Sequence, residues 1–88
     1  MKYAIIDGRS ISSMEEIHQS LAQQLSFPEW YGGNLDALHD CLTDFHEEVE
    51  ITVVYPDALQ EILGSGYIRL CRVLSDAADA NPYLKLHL

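Results

Sequence analysis

Three short β-type runs, each separated from the next by two segments of helical periodicity, leave this 88-residue chain few ways to fold. The runs lie at 3–6, 51–55 and 83–88. The first two are apolar enough to read as buried strands, and the third, Tyr83-Leu84-Lys85-Leu86-His87-Leu88, alternates. Asp7-Gly8 closes the first run as a turn signal. Met14, Ile17, Leu21 and Leu25 then recur at helical spacing. Ser12 or Ser13 can cap that helix, Glu15 and Glu16 suit its first turn, and Phe27-Pro28 ends it. A second helix is expected over 34–48, with Leu35, Leu38, Leu42, Phe45 and Val49 on its inner face. Pro56-Asp57 opens a short third helix carrying Leu59, Ile62 and Leu63, which Gly64-Ser65-Gly66 terminates. A fourth is expected over 67–80, with Ile68, Cys71, Leu74 and Ala78 on one side and Asn81-Pro82 breaking it. Parallel strands need crossovers long enough to hold a helix, whereas antiparallel ones do not. The order therefore predicts an α/β fold: a three-stranded parallel sheet packed by about four helices, with right-handed connections, in one domain over 1–88.

Charge narrows the function. Fourteen acidic residues face five basic ones, for a formal net charge of -9. No Lys or Arg occurs between Arg9 and Arg69, an interval that holds Glu15, Glu16, Glu29, Asp36, Asp40, Asp44, Glu47, Glu48, Glu50, Asp57 and Glu61. With so few cations nearby, these carboxylates are expected to project a field of one sign into solvent. Direct nucleic-acid binding needs the opposite charge, and an anionic membrane surface is disfavoured for the same reason. A basic protein is the natural complement, although acidity can also serve solubility alone. The N-terminal apolar run is too short for a signal-peptide core and no stretch is long enough to span a bilayer, so a cytoplasmic location is expected. Cys41 and Cys71 match no zinc spacing and are read as packed thiols.

On the second helix Asp36, Asp40 and Asp44 stand four apart and share a face with Thr43 and Glu47, opposite the leucines. Like charges at that spacing destabilise a helix by about 0.2–0.5 kcal/mol per pair, and only Asp36 gains from the helix N-terminus. A solvated polar face would also read this way. As an acid–base pair the carboxylates would need a cleft and separated pKa values, which one exposed face does not offer. One rigid helix cannot easily surround Mg²⁺ or Ca²⁺, and His39 and His46, seven apart, form no zinc pair. No cofactor, metal or enzymatic activity is expected. Docking suits the row best, because a fixed line of acceptors can meet bidentate Arg groups of a partner. Trp30 and Tyr31 directly precede the helix, with Gly32-Gly33 leaving the backbone open to close approach. One ring is expected to fill the core and Trp30 to face outward.

The segment Pro28-Glu29-Trp30-Tyr31-Gly32-Gly33-Asn34-Leu35-Asp36-Ala37-Leu38-His39-Asp40-Cys41-Leu42-Thr43 resembles the barstar-family pattern P-E-[aromatic]-Y-G-x-N-L-D-A-L-x-D-C-L-T. Ala4-Ile5-Ile6-Asp7-Gly8, the Leu21-to-Leu25 spacing and the whole element order agree with it. The resemblance implies inhibition of a barnase-type ribonuclease in a 1:1 complex, with the acidic helix and the loop before it entering the nuclease cleft. It implies that Asp40 sits where a substrate phosphate belongs, that Asp36 pairs with a basic group at the rim, and that Trp30 stacks on the catalytic His. It gives Asn34 and Thr43 polar contacts and Asp76 a further charge contact, and it brings Tyr31, Gly32, Leu35, His39 and Asp44 into the same surface. His39 stands where the family carries Trp, Trp30 where it carries Tyr, and Asp44 replaces a small residue. The aromatic part of the surface thus differs from the family pattern while the carboxylates are kept. An acidic interaction or immunity module of the same fold, binding a different basic protein or toxin, is the alternative.

Overall fold

The computed structural model describes residues Met1–Leu88. Strands β1 (Lys2–Asp7), β2 (Val49–Val54) and β3 (Leu84–His87) form one parallel sheet in the order β1-β2-β3. Lys2 pairs with Val49 at one end of the first ladder and Asp7 with Val54 at the other, while Val49 pairs with Leu84 in the second. Helices α1 (Met14–Leu25) and α2 (Leu35–Thr43) link β1 to β2; α3 (Pro56–Leu63) and α4 (Ser65–Ala80) link β2 to β3. The architecture is the α/β sheet with four helices that the residue pattern predicts.

The sheet is less deeply buried than its composition suggests. Ala4, Ile6, Val49, Ile51, Val53 and Leu84 face the core, joined by Ile17, Leu21, Leu25, Leu38, Leu42, Leu70 and Leu74 from the helices. The alternate positions remain accessible: Tyr3 is 49% exposed and Ile5 41% exposed, and Thr52 and Val54 are half-buried. Strand alternation and a helix layer over one face explain this, since period-two side chains cannot all reach the same core. Gln24 of α1 holds the β1 edge by accepting from Ile5 N–H at 2.8 Å and donating to Ile5 C=O at 3.0 Å. It occupies the backbone groups through which an edge strand would pair with another chain.

Several boundaries differ from those expected. Helix α2 stops at Thr43 rather than Glu48, with Asp44 at its C-cap, and Val49 belongs to β2. Tyr55 lies outside β2 as the left-handed residue (φ 54°) before Pro56, which opens α3. Gly64 alone, at φ 56° and ψ -127°, separates α3 from α4, so Ser65 and Gly66 are helical. On α4 the buried face is Gly66, Leu70, Leu74 and Ala77; Ile68 is exposed and Cys71 and Ala78 are half-buried. A Cβ at Gly66 would lie 3.3 Å from the end of the Met14 side chain, so the close packing there favours the smallest residue of the helix. Gly8 serves close approach rather than a left-handed turn. A Cβ there would run into the Tyr55 carbonyl and Leu59.

Candidate partner-binding surface

Two serines close the start of helix α1. Ser13 Oγ accepts from Glu16 N–H at 3.2 Å, and the Glu16 carboxylate accepts from Ser12 Oγ at 2.6 Å. The Ser12 hydroxyl and backbone N–H lower the Glu16 pKa from its ordinary 4.5. The helix ends at Ser26 in the left-handed region (φ 57°), and Phe27 N–H bonds back to Ala22 C=O at 2.9 Å. That reversal turns Phe27 inward. Its ring lies 4.8 Å from Tyr31 and 6.2 Å from Phe45, centre to centre.

Tyr31 is the inward ring and Trp30 the outward one, as expected. Tyr31 N–H donates to Pro28 C=O at 3.0 Å, and its hydroxyl lies 2.6 Å from Nδ1 of His18. His18 is 5% exposed, and burial lowers its pKa from the ordinary 6.5. Burial, with a smaller push from Cys41, raises Tyr31 to about 12. Both shifts favour the neutral forms, a phenol and an uncharged imidazole, so one proton is shared along this short bond and the His18 tautomer sets which partner donates it. Trp30, next door, is 79% exposed. The 26–34 loop is thus pinned to α1 through Tyr31 and holds the indole out into solvent.

Helix α2 starts at Asn34, whose Oδ1 accepts from Ala37 N–H at 2.8 Å. Asp36 falls in the first turn, where the helix dipole favours it. Leu38 and Leu42 are fully buried and Leu35 packs half-buried against the core. Asp36, Asp40 and Asp44 are exposed, with His39, Cys41 and Thr43 half-buried between them. None of the three aspartates forms an ion pair. Glu47 leaves the row: it lies beyond the helix and its carboxylate is 3.8 Å from Lys2 Nζ. Glu50 finds His87 at 3.3 Å. The prediction of an unpaired acidic surface therefore holds for the helix row and fails for these two residues, whose partners come from the chain termini through strand pairing.

Some side chains expected to face a partner are already engaged. Asn34 Oδ1 is spent on the cap, and the Thr43 hydroxyl donates to His39 C=O at 2.9 Å. Asp76 is exposed on α4, the helix that packs against α2. The pattern of residues gives no warning of Asn81. It is 4% exposed, and its amide donates to Leu42 C=O at 2.9 Å and Phe45 C=O at 3.0 Å while its Oδ1 accepts from Tyr83 N–H. It therefore satisfies the Leu42 carbonyl in the last turn of α2 and the Phe45 carbonyl just beyond the helix. His18 is equally inconspicuous, although its place beside Ile17 and Leu21 puts it on the buried flank of α1.

Two depressions border the loop. An open groove of about 640 Å³ runs between α1 and the loop, with His18, Phe27, Tyr31 and Gly32 among its lining residues. A smaller notch of about 200 Å³ lies between the Trp30 ring and the end of α2, where Cys41, Asp44 and Phe45 meet Phe27 and Pro28. No group of three or more His, Cys, Asp or Glu side chains is arranged to hold a metal ion. No helix is long and apolar enough to cross a membrane.

The fold and this surface define a small acidic α/β protein that sets unpaired carboxylates on one short helix beside a projecting aromatic. Residues 1–85 match the model of the family described as Barstar (barnase inhibitor), and the chain belongs to the barstar family. It is also similar to a Bacillus subtilis (strain 168) protein named "Putative ribonuclease inhibitor YrdF", with 54% identity over 43 residues. That alignment covers 49% of this chain and 47% of the relative, so the chain matches about half the length of that protein.

Proposed function

We propose that this protein inhibits a barnase-type ribonuclease by laying α2 and the 26–34 loop across the enzyme's active site, without catalysis of its own. The observation that carries the reading is the row Asp36–Asp40–Asp44, held rigidly on α2 and left without a cation in the free protein. Asp40, at mid-helix, takes the place of a substrate phosphate among the enzyme's Arg and His groups. Asp36 meets a basic group at the rim, and Trp30 supplies an aromatic anchor. His39, Thr43 and the backbone at Gly32 and Asn34 complete the contact, with Asp76 a further charge on α4. The family membership and the name of the Bacillus relative support the nuclease as the partner class.

A carboxylate and a guanidinium 4 Å apart attract by roughly 4 kcal/mol at an effective dielectric of 20. Stranding one partner of a buried charge pair costs about 2–5 kcal/mol. The test is RNA cleavage by a barnase-type enzyme in the presence of the wild type, Asp40→Ala, or Glu61→Ala on the exposed side of α3. Asp40→Ala is expected to weaken inhibition by more than tenfold, with Glu61→Ala matching the wild type. Equal inhibition by all three would reject phosphate mimicry. Failure of the wild type to inhibit, with a different basic protein captured instead, would favour an immunity module of the same fold.

A further inference from the structure

Asp44 sits where a carboxylate should not be. It is the C-cap of α2, its backbone N–H already bonded to Asp40 and Cys41 carbonyls, so its charge lies at the negative end of the helix dipole and one turn from Asp40. It forms no ion pair, and it is the only charged residue lining the notch of about 200 Å³ under Trp30. The other walls are mostly apolar: Phe27, Pro28, the Trp30 ring and Phe45, with Cys41 at the α2 side. The field there is felt locally, since Asp44 and Asp40 both add to the burial that raises the Cys41 pKa.

We infer that this notch receives one arginine side chain of the partner, its methylene stem on the apolar walls and its guanidinium between the Trp30 face and the Asp44 carboxylate. An apolar group would leave a carboxylate desolvated without a partner, and an anion would be repelled. A cation on a long apolar stem satisfies both halves of the site. Arginine fits better than lysine because a planar guanidinium can stack on the indole and still present a fork to the carboxylate. The partner's identity as a ribonuclease rests on the inhibitor reading above, but the chemistry of the notch does not.

Trp30 is the only tryptophan in the chain, so its fluorescence and its indole N–H resonance report on this site alone. The probe is N-acetyl-arginine amide, titrated at low salt against its uncharged isostere N-acetyl-citrulline amide. Arginine amide should give a saturable change at the indole and at the backbone amides of Cys41, Asp44 and Phe45, with little change from citrulline amide. Asp44→Asn should remove most of that response, while Asp36→Asn keeps it. Against a barnase-type enzyme, Asp44→Asn should weaken inhibition about tenfold, the scale of one charge-assisted hydrogen bond. Equal responses to both probes, or an arginine response that survives Asp44→Asn, would overturn the notch. Inhibition lost in Asp40→Ala but unchanged in Asp44→Asn would likewise discard the notch and keep the inhibitor. If the wild type inhibits no such enzyme, the inhibitor reading fails and the arginine titration still decides the notch.

Discussion

Replacing Asn81 by Ala removes the amide that closes the end of α2 and leaves the buried Leu42 carbonyl without its donor. Each buried polar group stranded in this way costs about 1–3 kcal/mol, so a loss of at least that size is expected in urea denaturation. If α2 makes the proposed contact, inhibition should weaken too, because Asp40 and Asp44 ride on the helix end that Asn81 holds. His18 makes the second prediction at this scale. Burial lowers its folded pKa below 6.5, so the unfolded chain binds the proton first as pH falls. The contribution of His18 is therefore full above that value, declines as pH drops through about 6.5, and levels off below the folded pKa. The urea midpoint of the wild type should fall between pH 7.5 and 5.5 by more than that of His18→Gln. Parallel pH profiles would show that the buried imidazole carries no linkage. Neither residue stands out in the chain: Asn81 reads as a helix breaker before Pro82, and His18 as one polar residue beside a stripe.

On the proposed reading, helix α2 is the element in which stability and binding pull apart. Its aspartates differ by position along the dipole, Asp36 in the first turn and Asp44 at the C-cap. Asp44→Asn removes a charge from the unfavourable end and relieves repulsion with Asp40, for an expected gain of about 0.3–1 kcal/mol. That corresponds to a few degrees in Tm for a domain of this size. Asp36→Asn loses a favourable dipole interaction, so its effect in the same thermal melt should be small or opposite in sign. A rise in Tm for Asp36→Asn as large as for Asp44→Asn would mean that only the total charge matters. The residue pattern identifies the acidic face and the leucines opposite it. It overruns the helix end by five residues because Phe45 continues the apolar spacing, whereas tertiary hydrogen bonds from Asn81 to the Leu42 and Phe45 carbonyls cap the chain there.

Over the whole molecule, a net charge of -9 meets only two ion pairs, Lys2–Glu47 and Glu50–His87, the second of which needs a protonated imidazole. Salt should therefore screen more repulsion than attraction. The Tm of the free protein is expected to rise between about 10 mM and about 300 mM NaCl, as the Debye length shrinks below the spacing of the surface charges. On the proposed reading, association with a basic nuclease should slow over the same range, because the same field would steer the encounter. Stopped-flow association and calorimetry on the same samples check both signs. A Tm that falls with salt would place more weight on the two ion pairs than on the acidic surface.

What the chain determined by itself was everything that depends on near neighbours: the alternation of strands with helix pairs, a serine cap at the start of α1, the acidic face of α2 and the charge imbalance. These follow from period, capping chemistry and composition, which act within a few residues. The tertiary structure decided which strand face stays open, which side of α4 is buried, how Asn81 ends α2, and that Tyr31 bonds to His18 while Trp30 projects. Those outcomes turn on groups far apart in the chain competing for one core, where a side chain at Gly66 would crowd Met14 and a buried amide must find carbonyls 36 and 39 residues away. Local patterns carry no record of that competition.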